Sequence, residues 1–256
     1  MRSALIGSTG FVGGTLLRQT TFDDLYHSTD IETIRGRSYD LLVCAGAPAE
    51  KWKANKEPER DKANIARLMS CLSETKAAHV VLVSTVDVYG TPIEVDEDTP
   101  IDPATATAYG RHRFELEEFV RDRFDTTCVR LPGLFGHGLK KNIIYDLLNN
   151  NAVDTICADS VFQFYHLDRL WRDIGTARAH ELRTVNFAVE PVSVRDVARI
   201  GFDRMFENLK PTTPARYDMR TRYATLFGGS GAYLSSHDEV LSAIRAFVID
   251  WRRGHA

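Results

Sequence analysis

Three glycines near the N-terminus carry the first chemical signal. Gly7, Gly10 and Gly13 are spaced G-x-x-G-x-x-G within Gly7-Ser8-Thr9-Gly10-Phe11-Val12-Gly13. The apolar run Ser3 to Ile6 precedes them. Phe11 to Gln19 follows with helical periodicity, Phe11, Leu16 and Leu17 forming its apolar face. Strand, glycine loop and helix in this order is the context that a dinucleotide fingerprint requires. Gly7 permits a tight turn, Gly10 removes a side chain where backbone approaches a pyrophosphate, and Gly13 lets helix and strand pack closely. The helix N-terminus offers N–H groups and a positive dipole end to the phosphates. Gly7, Thr9, Gly10, Phe11, Val12 and Gly13 are therefore the candidate cradle. The spacing differs from the common G-x-G-x-x-G, so the loop alone is also compatible with a structural turn. For the acidic residue expected about 20 positions on, the candidate is Asp30, which also stands where it would cap the next helix. Arg18 and Arg35 are candidates for meeting a 2'-phosphate, so NAD and NADP both stay open.

The elements that must position this loop read as alternating strands and helices. Leu25 to His27 is a weak strand, Asp40 to Gly46 a clear one, and His79 to Ser84 and Thr126 to Leu131 two more. Asp61 to Thr75 reads as a helix with Ile65, Leu68, Met69 and Leu72 on one face, and Thr105 to Phe124 as a long helix carrying Tyr109. Between them, Ala47 to Arg60 and residues 90–104 read as polar or proline-rich loops. The alternation implies an α/β fold, a doubly wound parallel sheet covered on both faces. After Gly136 the rhythm loosens. Asn142 to Leu148, Val194 to Phe206 and His237 to Trp251 read as helices, and Thr155 to Ala158, Phe162 to His166 and Thr184 to Phe187 as short strands. The expected organisation is a dinucleotide-binding core over residues 1–136, with 137–256 completing it and forming a small C-terminal substrate lobe.

Composition agrees with a globular protein. The chain has 256 residues, 43% hydrophobic and 26% charged, enough for a substantial core without staples. A net charge of -3 offers no electrostatic case for nucleic acid or anionic membrane. No apolar run approaches the roughly 20 residues of a membrane helix, and an apolar strand follows Met1 almost at once, so a cytoplasmic location is expected. Cys44, Cys71, Cys128 and Cys157 form no C-x-x-C pair. They read as free thiols, three of them within apolar strands. The scattered histidines give no metal site.

Further motifs recur in order: CAGA at 44–47, VLVSTVDVYG at 81–90, YGRHRFELE at 109–117, RLPGLFGHG at 130–138, FYHLDRL at 164–170 and VNFAVEPVSVRDVA at 185–198. With GSTGFVGGTLL at the start, they cover most of the chain. The chain thus resembles the extended short-chain dehydrogenase/reductases, in particular the NAD-dependent epimerase/dehydratase group acting on nucleotide sugars. The resemblance implies a Rossmann-type fold, NAD or NADP as cofactor and a sugar-nucleotide substrate. A homodimer through the tyrosine helix is among the assemblies it implies.

It also assigns catalytic roles. Thr85 takes the place of the strand-end Ser or Thr, and Tyr109, 24 positions on, that of the acid/base tyrosine. A free phenol titrates near ~10, and a neighbouring cation lowers it. The family places Lys one helical turn beyond the tyrosine, where this chain has Arg113. Arginine keeps the charge but is a planar fork that cannot simply replace an ammonium reaching ribose hydroxyls. Arg111 and His112 flank it without the right helical offset. Asp87 stands where dehydratases and decarboxylases of this group carry an acid able to move a carbon-bound proton; the preceding acid of the dehydratases is replaced by Val86. The alternative for Asp87 is a loop-bonding carboxylate.

By the same resemblance, Ala45, Gly46 and Ala47 line the dinucleotide, Pro132 and Leu134 meet the nicotinamide amide, and Asn64 orders water or backbone below the site. Lys140, Lys141, Asn142, Gln163, Arg216, Tyr217, Arg220 and Arg222 are candidate diphosphate or sugar contacts, and equally solvated or ion-paired residues. Trp52 and Trp171 read as packing or pocket-wall residues. Two functions follow: an NAD(P)-dependent reductase or epimerase, with Thr85, Tyr109, Arg113 and Asp87 as its machinery, or a weakly active or non-catalytic NAD(P)-binding sensor or scaffold, which the Arg at position 113 favours. A Rossmann methyltransferase fits the ordered motifs poorly.

Overall fold

The computed structural model describes residues 1–210 and 213–254. In chain order its elements are β1 Ser3–Ile6, α1 Phe11–Gln19, β2 Asp24–Tyr26, β3 Ser38–Cys44, α2 Lys51–Lys56, α3 Pro58–Ser73, β4 Lys76–Thr85, β5 Ile93–Val95, α4 Ala108–Arg123 and β6 Thr126–Leu131. There follow β7 Gly133–Phe135, α5 Ile143–Asn149, β8 Val161–Phe162, β9 Phe164–His166, α6 Leu170–Ala179, β10 Thr184–Asn186, β11 Val192–Ser193, α7 Val194–Asp196, β12 Asp218–Met219 and α8 His237–Gly254. No helix among the described residues is long and apolar enough to cross a membrane.

The chain divides into two compact units. The first comprises Met1–Thr91, Glu97–Leu131 and Asp168–Asn186. It holds a six-stranded sheet in the order β10-β6-β4-β3-β1-β2, parallel throughout. This is the Rossmann-type α/β fold. Every residue of β6 is buried, as expected of a parallel strand covered on both faces. Ile65, Leu68 and Leu72 of α3 pack with Ile6, Leu42, Val80 and Leu82 of the sheet in one apolar cluster. Each such side chain contributes roughly 1.5–3 kcal/mol by leaving water. From β1 the chain places β2 on one side and β3 on the other. The order reverses there, which puts the ligand crevice of an open α/β sheet at the carboxyl ends of β1 and β3.

The second unit comprises Pro92–Asp96, Pro132–Leu167 and the described residues from Phe187 onward. Its strands pair in twos: β5 with β12 and β7 with β9 in parallel, β8 with β11 antiparallel. Val240, Leu241, Ile244 and Val248 are the buried face of α8. Phe135 stacks on His166 with ring centroids 4.6 Å apart.

Several elements differ from the sequence expectation. The stretch Ala47 to Arg60 is largely helical. Pro58 opens α3 at its first position, where a fixed φ and a missing N–H cost nothing, and Glu59 and Asp61 complement the dipole of that turn. The helix α6 was not among the expected elements; Leu170, Ile174 and Ala177 form its buried apolar face. Thr155 to Ala158 forms no strand: Val153–Thr155 closes a 3-10 turn, and the Ile156 carbonyl and the Ala158 N–H are taken by Asn208. The helix expected over Val194 to Phe206 runs as α7 and a wide turn to Gly201, and Asp203 then enters the left-handed region at φ 55. All four cysteines are free; Cys71 lies in α3 and Cys157 in no strand.

Candidate active site

The glycine loop leaves β1 and turns back on the sheet. The N–H groups of Gly7 and Ser8 both donate to the Tyr26 carbonyl at the end of β2, at 2.8 and 3.1 Å. Gly7 has φ +86, and a Cβ there would meet the Ala45 carbonyl oxygen at 2.3 Å. A Cβ on Gly13 would lie 2.0 Å from the Gly7 carbonyl oxygen, so α1 closes directly on the loop. Gly10 differs: its Cβ would meet nothing nearer than 3.3 Å. Gly7 and Gly13 are thus required by the fold, whereas Gly10 is exposed at the mouth of the loop. The first helical bond runs from the Gly14 N–H to the Gly10 carbonyl, and no side chain caps the helix. The N–H groups of Phe11, Val12 and Gly13 therefore lack intrahelical acceptors. Thr9 is exposed beside them, and no acidic residue occupies the first turn. This cradle fits a diphosphate. On β3's side, Ala45 bonds the Ile6 carbonyl through its N–H, and a Cβ on Gly46 would meet Ile6 Cγ2 at 2.7 Å.

Asp30 makes no side-chain cap to the turn that follows it. Its carboxylate instead accepts the His27 N–H at 2.7 Å and lies 3.1 Å from His27 Nε2, which fixes the loop after β2. Arg35 is bound to Glu32, Glu74 and the Ser70 carbonyl, linking that loop to α3. Arg18 donates to Thr15 Oγ1 at 2.7 Å.

Thr85, Asp87, Tyr109 and Arg113 come together at the carboxyl end of β4. The first turn of α4 packs on the backbone at Asp87 so closely that a Cβ on Gly110 would stand 1.8 Å from the Asp87 carbonyl oxygen. Only glycine permits this approach, and it sets Tyr109, the preceding residue, beside Thr85. The Thr85 hydroxyl bonds the phenol, and it also accepts the Asp87 N–H at 3.2 Å. The Tyr109 N–H donates to Asn55 Oδ1 of α2 at 3.0 Å. One turn earlier on α2, Lys51 Nζ pairs with Asp87 Oδ1 at 2.6 Å. The resemblance did not point to Lys51 or Asn55, because their segment read as a loop.

Arg113 lies with its Cζ 4.0 Å from the centroid of the Tyr109 ring. Its Nη1 donates to Asp61 and to the Tyr109 carbonyl, and its Nη2 to Asp61 Oδ1 at 2.8 Å and to the Pro48 carbonyl. His112 Nδ1 also bonds Asp61, at 2.8 Å. His112 thus meets Asp61 on α3 rather than the phenol. Burial is the largest influence on Tyr109 and raises its phenol above the ordinary value of 10.0; Arg113 opposes this, Asp87 adds to it, and the Thr85 bond and Lys51 oppose it. The expected favouring of tyrosinate by Arg113 is present but outweighed, because the ring is 8% exposed.

Behind the site lies a buried polar network. Ser84 donates to Glu117 at 2.5 Å, Arg130 Nη2 to Glu117 at 2.7 Å and Arg130 Nη1 to the Tyr89 hydroxyl at 2.7 Å, while Asn186 donates to that hydroxyl at 3.1 Å. It ties α4 to the ends of β4, β6 and β10 and so fixes the helix that carries Tyr109.

Other candidates are placed elsewhere. Asn64 is exposed on α3. Trp52 is 66% exposed, so it is no packing residue, whereas Trp171 packs edge-on against Phe22. In the second unit, the Gln163 amide is consumed by Val189 and Met219 backbone, which makes it a structural tie. Asn142 caps α5 and donates to the Leu134 carbonyl, and Lys140 and Lys141 are exposed. Arg220 pairs with Glu94 and Asp218, and Tyr217 stacks on Phe162. Arg216 and Arg222 also belong to this unit, as do Pro132 and Leu134, the latter on β7.

A glycine cradle at the switch point of a parallel sheet, with a Thr-Tyr hydroxyl pair at its carboxyl edge, defines a dinucleotide-binding Rossmann protein. The model of the NAD dependent epimerase/dehydratase family matches residues 22–155, and the chain belongs to that family. No curated protein matches the chain. Among solved structures it is similar to MoeE5 in complex with UDP-glucose and NAD, with a TM-score of 0.74, 15% identity and full coverage of both chains. UDP-glucose 4-epimerase of Thermotoga maritima with UDP-glucose gives 0.73 at 14% identity, also over all of both chains. RMD from Pseudomonas aeruginosa complexed with NADPH gives 0.74 at 15% identity, over 98% of this chain and 99% of that one. At these identities the likeness is one of fold.

Proposed function

We propose that the protein is an NAD(P)-dependent enzyme that reduces or epimerises a sugar nucleotide or a related keto-sugar. The observation that carries this reading is the hydrogen-bonded hydroxyl pair of Thr85 and Tyr109, with Arg113 over the phenol, at the same end of the sheet as the glycine cradle. The dinucleotide, when bound, supplies the hydride donor or acceptor. The chain's own residues do the rest. The first-turn N–H groups of α1 bind the diphosphate. Thr85 orients the substrate oxygen through its hydroxyl. Tyr109 Oη passes a proton to that oxygen as a carbonyl is reduced, or takes it back in the reverse direction. Burial holds the phenol protonated, which suits the donating direction. Asp87, beside Thr85, moves a carbon-bound proton where the reaction requires one. The similar structures whose titles name UDP-sugars support the substrate class.

A thermal-shift screen of NAD, NADP and several nucleotide sugars tests binding, since a ligand of the native state raises stability by mass action. Turnover with the ligands that bind tests the chemistry. The second reading, an NAD(P)-binding sensor or scaffold, is favoured by the commitment of Arg113 to Asp61. It predicts stabilisation by the dinucleotide and no turnover of any sugar nucleotide, with activity appearing only on Arg113→Lys.

A further inference from the structure

The cation one turn beyond Tyr109 does not reach toward solvent. Arg113 is 3% exposed, and both of its terminal nitrogens are bound, to Asp61, the Tyr109 carbonyl and Pro48. It acts on the phenol only through its field across the ring face. A second cation, Lys51 of α2, also acts on the phenol. Lys51 lies on the face of α2 that also carries Asn55, four positions on, and Asn55 anchors that face to the Tyr109 N–H. Lys51 Nζ meets Asp87 Oδ1 at 2.6 Å. The Asp87 side chain is 15% exposed and the Lys51 side chain 39%. Asp87 sets a negative charge against the phenol, and Lys51 acts on it in the opposite sense.

We propose that Lys51 is a positioning residue of the Tyr109 site: its ammonium holds the Asp87 carboxylate beside Thr85 and offsets the charge that Asp87 sets against the phenol. The charged groups facing Tyr109 are then Arg113 from α4, Asp87 after β4 and Lys51 from α2, with Asp61 and His112 reaching it only through Arg113. The two cations divide the work. Arg113 is a fixed charge over the ring, and Lys51 is a half-exposed one that can follow Asp87 when a proton moves. Without Lys51, the charge that Asp87 sets against the phenol is no longer offset from α2, and Tyr109 becomes a weaker acid. The inference rests on the reading of Tyr109 as the acid/base group, and its test needs neither cofactor nor substrate, so that the two can fail separately.

The test is a 19F NMR titration of the ligand-free full chain carrying 3,5-difluorotyrosine at position 109, a phenol that ionises at lower pH than tyrosine. Titrations are compared for the parent, Lys51→Met, Lys51→Arg, Asp87→Asn and the Lys51→Met/Asp87→Asn pair, with Lys51→Gln replacing Met if that variant aggregates. Lys51→Met is expected to raise the midpoint by roughly half a pH unit or more. Lys51→Arg, which keeps the charge, is expected to stay near the parent. In the Asp87→Asn background, the effect of Lys51→Met is expected to fall by about half or more, the coupling expected of groups in one ion pair. An unchanged midpoint in Lys51→Met, or the same shift with and without Asp87, overturns the proposal.

Discussion

The guanidinium of Arg113 lies 4.0 Å above the Tyr109 ring while gripping Asp61 on a different helix. One side chain therefore serves two purposes: it fastens α4 to α3, and it places a fixed positive charge on the phenol. The fastening occupies both terminal nitrogens, Nη1 and Nη2, and leaves the buried Nε without a hydrogen-bond partner. Arg113 is thus a strut with an electrostatic side effect.

The strut has a measurable stability. Arg113→Met leaves Asp61 buried and without its main partner, a loss of roughly 3–5 kcal/mol for a broken buried pair. Arg113→Lys, which keeps the charge but not the fork, is expected to lose less. Urea denaturation of the three proteins checks the order; equal midpoints for parent and Arg113→Met contradict it.

Acid stability follows from the same pair. Burial works to raise the Asp61 carboxyl, but hydrogen bonds from Arg113 and His112 outweigh it and hold the group below its ordinary value of 3.8. A carboxyl depressed in the folded state stabilises above its unfolded pKa and loses that contribution as pH falls through the folded one. The stabilisation is therefore complete at neutral pH and is lost below about pH 4. Acid unfolding followed by far-UV circular dichroism is expected to have a shallower pH dependence in that window for Asp61→Asn than for the parent. The prediction fails if the two curves have the same slope there.

The glycine loop separates folding from binding. Gly13→Ala places a methyl 2.0 Å from a carbonyl oxygen and is expected to lower the melting temperature as well as dinucleotide affinity. Gly10→Ala meets only a 3.3 Å contact, so it should melt near the parent yet bind the dinucleotide at least about tenfold more weakly, since it intrudes where the diphosphate is proposed to lie. Calorimetric melting and titration with NAD and NADP distinguish the two. Unimpaired binding by Gly10→Ala removes the diphosphate from this loop.

Much of this was legible in the sequence because its signals are local. β1, the glycine loop and α1 lie within Ser3 to Gln19, and their residue types state the strand, turn and helix directly. β3 was equally plain, since burial on both faces gives a parallel strand a continuous apolar run, here Leu41 to Cys44. The meeting of Thr85, Asp87, Tyr109 and Arg113 was legible only through the order of motifs. What the sequence concealed is relational. Asp61 sits more than 50 positions from Arg113, on a helix whose first turn reads as a charged loop, and nothing in PERD announces a buried carboxylate. Lys51 and Asn55 lie on α2, a short helix whose exposed Trp52 and alternating lysines give no amphipathic pattern. Gln163 was a candidate contact only because the resemblance places polar contacts at that position; its amide instead satisfies backbone of Val189 and Met219.

The most direct test of the account is turnover by Tyr109→Phe beside its dinucleotide affinity, using the nucleotide sugar and cofactor that the parent accepts. Removing the phenolic hydroxyl leaves the ring, the Arg113 contact and the glycine cradle in place. In this variant kcat is expected to fall at least ~100-fold, the lower range for a lost general acid or base, while Kd for the dinucleotide stays near the parent value. Parent-like turnover by Tyr109→Phe would contradict it.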